Sequence, residues 1–142
     1  MKKYFFISFL LIAVAYSCKN NDKNDNSRSE NDVDAARNFI RAALDGKWDE
    51  AKKYMVEDSV NLQLLETTQQ TYNTISKDDK RNYRESEIIL YETRTIGDSI
   101  TIVNYSNSFK NEKDSQKVVR KNGQWLVDLK YSLLAGNPKN AQ

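Results

Sequence analysis

The chain has no histidine, one cysteine, one proline and four glycines in 142 residues. Without histidine there is no His-based triad, no imidazole general base and no His-containing zinc site. A single cysteine excludes a disulfide framework within the chain and any Cys-rich metal cluster. Charge of one sign is lacking too: 22 Lys+Arg stand against 20 Asp+Glu, a balance that singles out no partner. With 39% hydrophobic and 30% charged residues, the chain is too apolar for full disorder, and its length accommodates one domain.

Long hydrophobic runs are scarce as well. The only one, Tyr4 to Ala15, is broken by Ser8 and follows Met1, Lys2 and Lys3. It falls short of the ~20 residues that a spanning helix needs. A positive start, a short apolar run and the small-residue exit Ala15-Tyr16-Ser17 make residues 1–17 a secretory signal. An uncleaved N-terminal anchor is the alternative. The lone cysteine, Cys18, stands where this segment ends, and Ala15-Tyr16-Ser17-Cys18 resembles a bacterial lipobox. The resemblance implies a lipidated Cys18 at the head of the mature chain, held in the membrane by acyl chains at ~0.8 kcal/mol per buried methylene. It also implies a cell-envelope, outer-membrane-anchored lipoprotein. Whether it faces the periplasm or the surface stays open, because Asp22 and Asp25 are sparse for a surface-export signal. Removing residues 1–17 takes Lys2 and Lys3 but no acid, so the mature chain is formally neutral. A nucleic-acid partner therefore lacks its electrostatic footprint.

Residues 18–32 contain no aliphatic or aromatic side chain and read as a flexible tether. Residues 33–135 form the domain, and 136–142, with Gly136 and Pro138, a frayed tail.

Within the domain, Ala36, Phe39, Ile40, Ala43 and Leu44 repeat at helical spacing, with Asn31 or Asp32 as the cap and Gly46 as the stop. Asp49 is read as the cap of a second helix that buries Trp48, Ala51, Tyr54 and Met55. A third helix runs from Ser59 to Ile75, with Val60, Leu64, Leu65, Thr68, Tyr72 and Ile75 on one side. Ser76 and Asp79 start a short fourth, ending near Tyr83. Strands are expected over 87–93, 99–109, 116–121 and 124–133. Asn122-Gly123 carries the strongest hairpin signal, because a type I′ turn needs two positive φ angles. Helices followed by an antiparallel meander define an α+β fold.

The last strand has the clearest phase. Trp125, Val127, Leu129, Tyr131 and Leu133 should face the helices, which leaves Leu126, Asp128, Lys130 and Ser132 outside. In the second strand, Ile100 and Ile102 oppose Val103, Tyr105 and Phe109. A bulge near Ile102-Val103 would bring all of them inside. Without one, either Asn104 joins Ile100 and Ile102, or Thr101 and Asn107 join Val103 and Tyr105. The first strand is apolar on both faces; a homodimer or a crossing loop would cover the second.

Helices leading into a curved four-stranded meander that ends Lys121-Asn122-Gly123-Gln124-Trp125-Leu126-Val127 resemble the nuclear-transport-factor-2-like (cystatin-like) cone. The stretch from Leu44 to Ala51 resembles the helix–helix corner of that superfamily. With the lipobox, the chain is similar to small bacterial lipoproteins carrying a domain of unknown function of this fold. That likeness implies a cone interior able to take a small ligand. Trp48, Tyr54, Tyr91, Tyr105 and Trp125 are the candidate pocket residues, and a filled aromatic core is the alternative. The superfamily also includes isomerases, dehydratases and hydrolases, so fold alone assigns no chemistry.

An enzyme of this fold needs an acid or base inside the cone. Tyr91 and Tyr105 can meet across adjacent strands, but no inward carboxylate is evident: Asp128 points out, Glu87 sits at a strand end and Glu92 shares a phase with Ile88 and Leu90. The reading is therefore a non-catalytic module with no catalytic residue, metal or cofactor, binding a small ligand or an envelope protein. An isomerase- or hydrolase-like enzyme using pocket tyrosines is the alternative. Asp98-Ser99-Ile100 resembles a periplasmic O-glycosylation site at Ser99. Asp58-Ser59-Val60 has the same form and reads as a helix cap.

Overall fold

The computed structural model describes residues 29–131. Four helices, α1 (Asp32–Leu44), α2 (Trp48–Lys53), α3 (Ser59–Thr74) and α4 (Lys77–Glu85), precede four strands. These are β1 (Ile88–Ile96), β2 (Ile100–Asn107), β3 (Asp114–Lys121) and β4 (Gln124–Asp128). They form one open antiparallel sheet in the order β1-β2-β3-β4. The fold is α+β, helices first and meander second.

Local chemistry sets the helix ends. Asn31 caps α1, its Oδ1 accepting from the Asp34 N–H at 2.9 Å. At the other end Gly46 takes φ 72°. The Gly46 N–H donates to the Ala43 carbonyl at 3.0 Å and the Lys47 N–H to the Ala42 carbonyl at 2.8 Å, the bond pattern of a Schellman stop. Asp58 caps α3 and Ser76 caps α4. The second helix differs from expectation. Its N-cap is Lys47, with no side-chain capping bond, and Asp49 lies inside the first turn, where its charge suits the helix dipole.

The core lies between α1 and the sheet. Ala35, Ala36, Phe39, Ile40 and Ala42 of α1 join Val103, Val118 and Val127, one valine from each of β2, β3 and β4. Ala51, Tyr54 and Met55 close it from the α2 side. Arg41 then fastens α4 to α1, donating to the carbonyls of Ser86 at 2.8 Å, Tyr83 at 3.1 Å and Arg84 at 3.2 Å. The third helix is turned from its expected phase: Asn61 and Leu65 are buried and Val60 is exposed. Asn61 Oδ1 accepts from the Leu129 N–H at 2.8 Å, and its amide donates to Asp58 Oδ2 at 3.0 Å. A buried polar side chain with both functions satisfied can replace an aliphatic one there.

The same bond corrects β4. It ends at Asp128, not Leu133, because Leu129 turns its N–H to Asn61 and Lys130 reaches Asp58 at 2.7 Å. The neighbouring edge of β4 is covered. The Val56 N–H donates to the Val127 carbonyl and the Val127 N–H to the Tyr54 carbonyl, both at 2.8 Å. At the Asn122-Gly123 turn both φ angles are positive, 52° and 77°, as a type I′ hairpin requires.

No bulge occurs in β2. Thr101, Val103, Tyr105 and Asn107 share the inner face, and Ile100, Ile102, Asn104 and Ser106 the outer one. The register shift falls instead in β1, between Leu90 and Glu92: Leu90 opposes Tyr105, Glu92 opposes Asn104, and Tyr91 is the extra residue. Ile102 is buried on the outer face between its register partners Arg94 and Lys117, whose long stems can lie over it.

Candidate functional site

Between α1, α3, α4 and the inner face of the sheet lies a cavity of ≈ 470 Å³. Its apolar wall comes from Phe39, Ile40 and Leu44 of α1, Ile75 after α3, and Leu129 after β4. Trp48, Tyr72 and Tyr83 make an aromatic flank. Trp48 meets Tyr72 edge-on at 5.4 Å, and Tyr72 lies 6.4 Å from Tyr83. Tyr83 in turn meets Phe109 edge-on at 5.0 Å, which ties the flank to the β2–β3 turn. The polar wall is Tyr105 and Asn107 of β2 with Asp114 and Gln116 of β3.

Register explains that polar wall. Tyr105 stands directly opposite Asp114, and Val103 opposite Gln116, so Asp114 and Gln116 both fall on the inner phase of β3. The Tyr105 phenol donates to Asp114 Oδ2 at 3.0 Å. Burial first, and the Asp114 charge second, push the Tyr105 phenol well above the ordinary tyrosine range, while a side-chain hydrogen bond from Gln116 works against them. Gln116 is only 4% exposed, and its Oε1 has no hydrogen-bond partner.

Of the five aromatic residues expected in the pocket, the structure brings Trp48 and Tyr105 to the cavity wall. Tyr54 is buried in the core at the end of α2. Trp125 packs on the core from the inner face of β4, with the Arg120 guanidinium 5.6 Å from its ring centroid. Tyr91 must be corrected. The β1 bulge turns it to the outer face, where it is 49% exposed, exchanges a 2.7 Å hydrogen bond with Ser106 and has Lys113 over its ring at 5.1 Å. Tyr91 and Tyr105 therefore do not meet.

An inward carboxylate does exist. Asp114 closes a polar run from Asn111 with the composition of a turn, so its inward phase does not show in the sequence. Its membership of β3 shows only once the strand is seen to begin two residues before Gln116. Asp128 stays on the outer phase and pairs with Lys130 at 3.6 Å. Glu87 is exposed before β1, and Glu92 accepts from the Asn104 amide at 3.3 Å on the outer face. Ser99 occupies the exposed β1–β2 turn. Cys18, the signal over 1–17 and the tail over 136–142 lie outside the described residues. Among the described residues no group of His, Cys, Asp and Glu is placed to hold a metal ion.

Compared with family models, curated proteins and solved structures, the chain matches none.

Proposed function

We propose that this chain is a lipid-anchored cell-envelope protein whose α+β domain is a non-catalytic module binding a small molecule. One observation carries the binding half: Gln116, a residue of the ≈ 470 Å³ cavity's wall, has a buried Oε1 with no hydrogen-bond partner. Leaving such an acceptor unmade costs ~1–3 kcal/mol, which a donor on a bound ligand offsets. The cavity's size and its mostly apolar lining with a few convergent polar groups match the usual build of small-molecule sites. We read the architecture as a small nuclear-transport-factor-2-like cone. The helix-then-meander order and the cavity between helices and sheet support that reading.

The anchor half rests on the lysine start, the apolar run and the lipobox-like Ala15-Tyr16-Ser17-Cys18. Among the described residues no helix is long and apolar enough to cross a membrane. An acyl mass increment on Cys18 in protein isolated from cells tests the anchor; an intact, unmodified residue 1–17 segment overturns it.

One observation favours the second reading, an isomerase- or hydrolase-like enzyme: the Tyr105–Asp114 pair on the cavity wall. Its electrostatics weaken the case. A phenol held well above its ordinary range and already donating to a carboxylate is poorly matched to general acid–base work near neutrality. The deciding experiment is native mass spectrometry of the full chain extracted in detergent, repeated after denaturation. A small mass that leaves on denaturation is the expected result. A bare protein mass under both conditions, in protein taken directly from its envelope, counts against the small-ligand reading and for a protein partner.

A further inference from the structure

The hydroxyl donors of the cavity wall are used internally, while Asn107 of the same wall has its Oδ1 taken by the Phe109 and Lys110 N–H groups at 3.2 and 3.0 Å. The hydroxyl protons of Thr67, Thr68 and Thr71 go to carbonyls of their own helix, at 2.9, 2.9 and 3.0 Å. The Tyr72 hydroxyl reaches the Leu44 carbonyl at 3.4 Å, and the Tyr105 hydroxyl goes to Asp114. The one hydroxyl donor of the Tyr105–Asp114 pair is thus used internally, and two acceptors stand beside it. One is the exposed Asp114 carboxylate, the only charged side chain on the wall, whose Oδ1 accepts from the Ser115 N–H at 2.7 Å and whose Oδ2 accepts from Tyr105. The other is the unpartnered Gln116 Oε1.

Asp114 and Gln116 share one face of β3 two residues apart, with their Cα atoms about 7 Å from each other along the strand. An ammonium can donate to both, with hydrogen bonds near ~2.8 Å, when the two side-chain tips converge to within about 5.6 Å. The flank opposite is aromatic, formed by Trp48, Tyr72 and Tyr83, and π faces attract cations. A cation already uses this property on one of these rings: Lys80 sits 5.5 Å from the Tyr72 centroid while donating to the Asn73 carbonyl. An anionic ligand would meet a carboxylate with no cation on the wall to offset it.

We propose that the cavity binds a small organic ammonium ion with an apolar body, its N–H donors on Asp114 and Gln116 Oε1 and its body against Phe39, Leu44 and Trp48. This rests on the small-ligand reading above and specifies its chemistry.

The test uses the full chain in detergent and three probes that share a phenylethyl body, at neutral pH, followed by calorimetry: 2-phenylethylamine, 2-phenylethanol and 3-phenylpropionate. The amine is expected to bind about tenfold or more tighter than the alcohol, the scale of one charge-assisted hydrogen bond, with the carboxylate weakest. Asp114→Asn and Gln116→Leu should each weaken the amine and leave the alcohol nearly unchanged. Alcohol or carboxylate binding as tightly as the amine overturns the ammonium inference, and so does amine binding that both variants leave intact. Should a variant fail to fold, the wild-type ranking of the three probes decides alone. Xenon separates the two levels of the argument. If dissolved xenon shifts the methyl resonances of Ile40, Leu44 and Leu129 while no probe binds, the ammonium inference falls and the pocket stands. If neither xenon nor any probe moves them, both fall.

Discussion

Tyr105 and Asp114 face each other squarely across β2 and β3, with the phenol donating to the carboxylate at 3.0 Å. The pair joins the sheet to the cavity, because both residues also line its wall. Burial of the phenol, and after it the Asp114 charge alongside, keep its proton on well beyond the ordinary tyrosine range.

That relationship predicts an alkaline titration. In absorbance at 295 nm, Tyr105 should stay protonated above the ordinary tyrosine range near ~10 and be released only as the protein unfolds. The sign for stability follows from linkage. The folded state retains a proton that the unfolded chain gives up, so stability is full below the ordinary tyrosine range and falls as pH rises past it. Asp114→Asn removes the carboxylate and should bring the Tyr105 titration down toward the ordinary tyrosine range. An unchanged titration curve in that variant would show that Asp114 has no part in the shift.

A second pH dependence appears at the acid end. Lys130 and the Asn61 N–H hold the Asp58 carboxyl at about 2. The contribution is therefore present above the ordinary carboxylate range near ~3.9 and lost as pH falls through about 2. Asp58→Asn retains a capping oxygen for α3 but not the ion pair. The gap in urea midpoint between wild type and Asp58→Asn should be open at pH 5 and mostly lost by pH 2. Both side chains are partly exposed, at 41% and 35%, so high salt should narrow the gap at pH 5 as well. A gap constant across the range would show that the pair does not titrate as described.

Much of this frame was legible because short-range chemistry dictated it. Asn31, Asp58 and Ser76 cap helices through their own side chains, and Asn122-Gly123 takes positive φ at both positions. The alternation of Trp125 and Val127 against Leu126 and Asp128 fixed the phase of β4. What escaped depended on distant partners. Tyr91 is turned outward by a bulge that no glycine or proline marks. The rotation of α3 is tied to Asn61 bonding Leu129, sixty-eight residues away. Trp48 and Tyr105 were legible as pocket candidates from their aromatic character. Asp114 and Gln116 were not, because their inward phase follows from pairing with β2.

The turn after α1 offers a purely steric test. Gly46 has φ 72°, and a Cβ there would lie 2.9 Å from Tyr72 Cε1. Two costs therefore fall on Gly46→Ala: the left-handed backbone, ~1–2 kcal/mol, and displacement of a ring that forms part of the cavity flank. A loss of about 2 kcal/mol or more is expected, lowering Tm by roughly 10 °C for a domain of this size. Adding Tyr72→Ala should relieve the contact but not the φ penalty, so the double variant should be less destabilised than the sum of the singles. Strict additivity would mean that the ring yields freely.

Gln116 allows stability and binding to be set against each other. Within the folded chain its Oε1 is buried without a partner, a cost of ~1–3 kcal/mol. Leucine has a similar size and no such acceptor, and its neighbours in the inner layer include Val103 and Val118. If Gln116 faces the cavity to receive a ligand donor, Gln116→Leu should raise stability by about 1 kcal/mol in the ligand-free protein, read as a higher urea midpoint with an unchanged slope. The same variant should no longer carry a small mass through native spectrometry. Gains in stability that accompany loss of a ligand are the usual signature of a side chain kept for function. A variant that is less stable and still carries the ligand would instead make Gln116 a structural residue whose main task is its hydrogen bond to Tyr105.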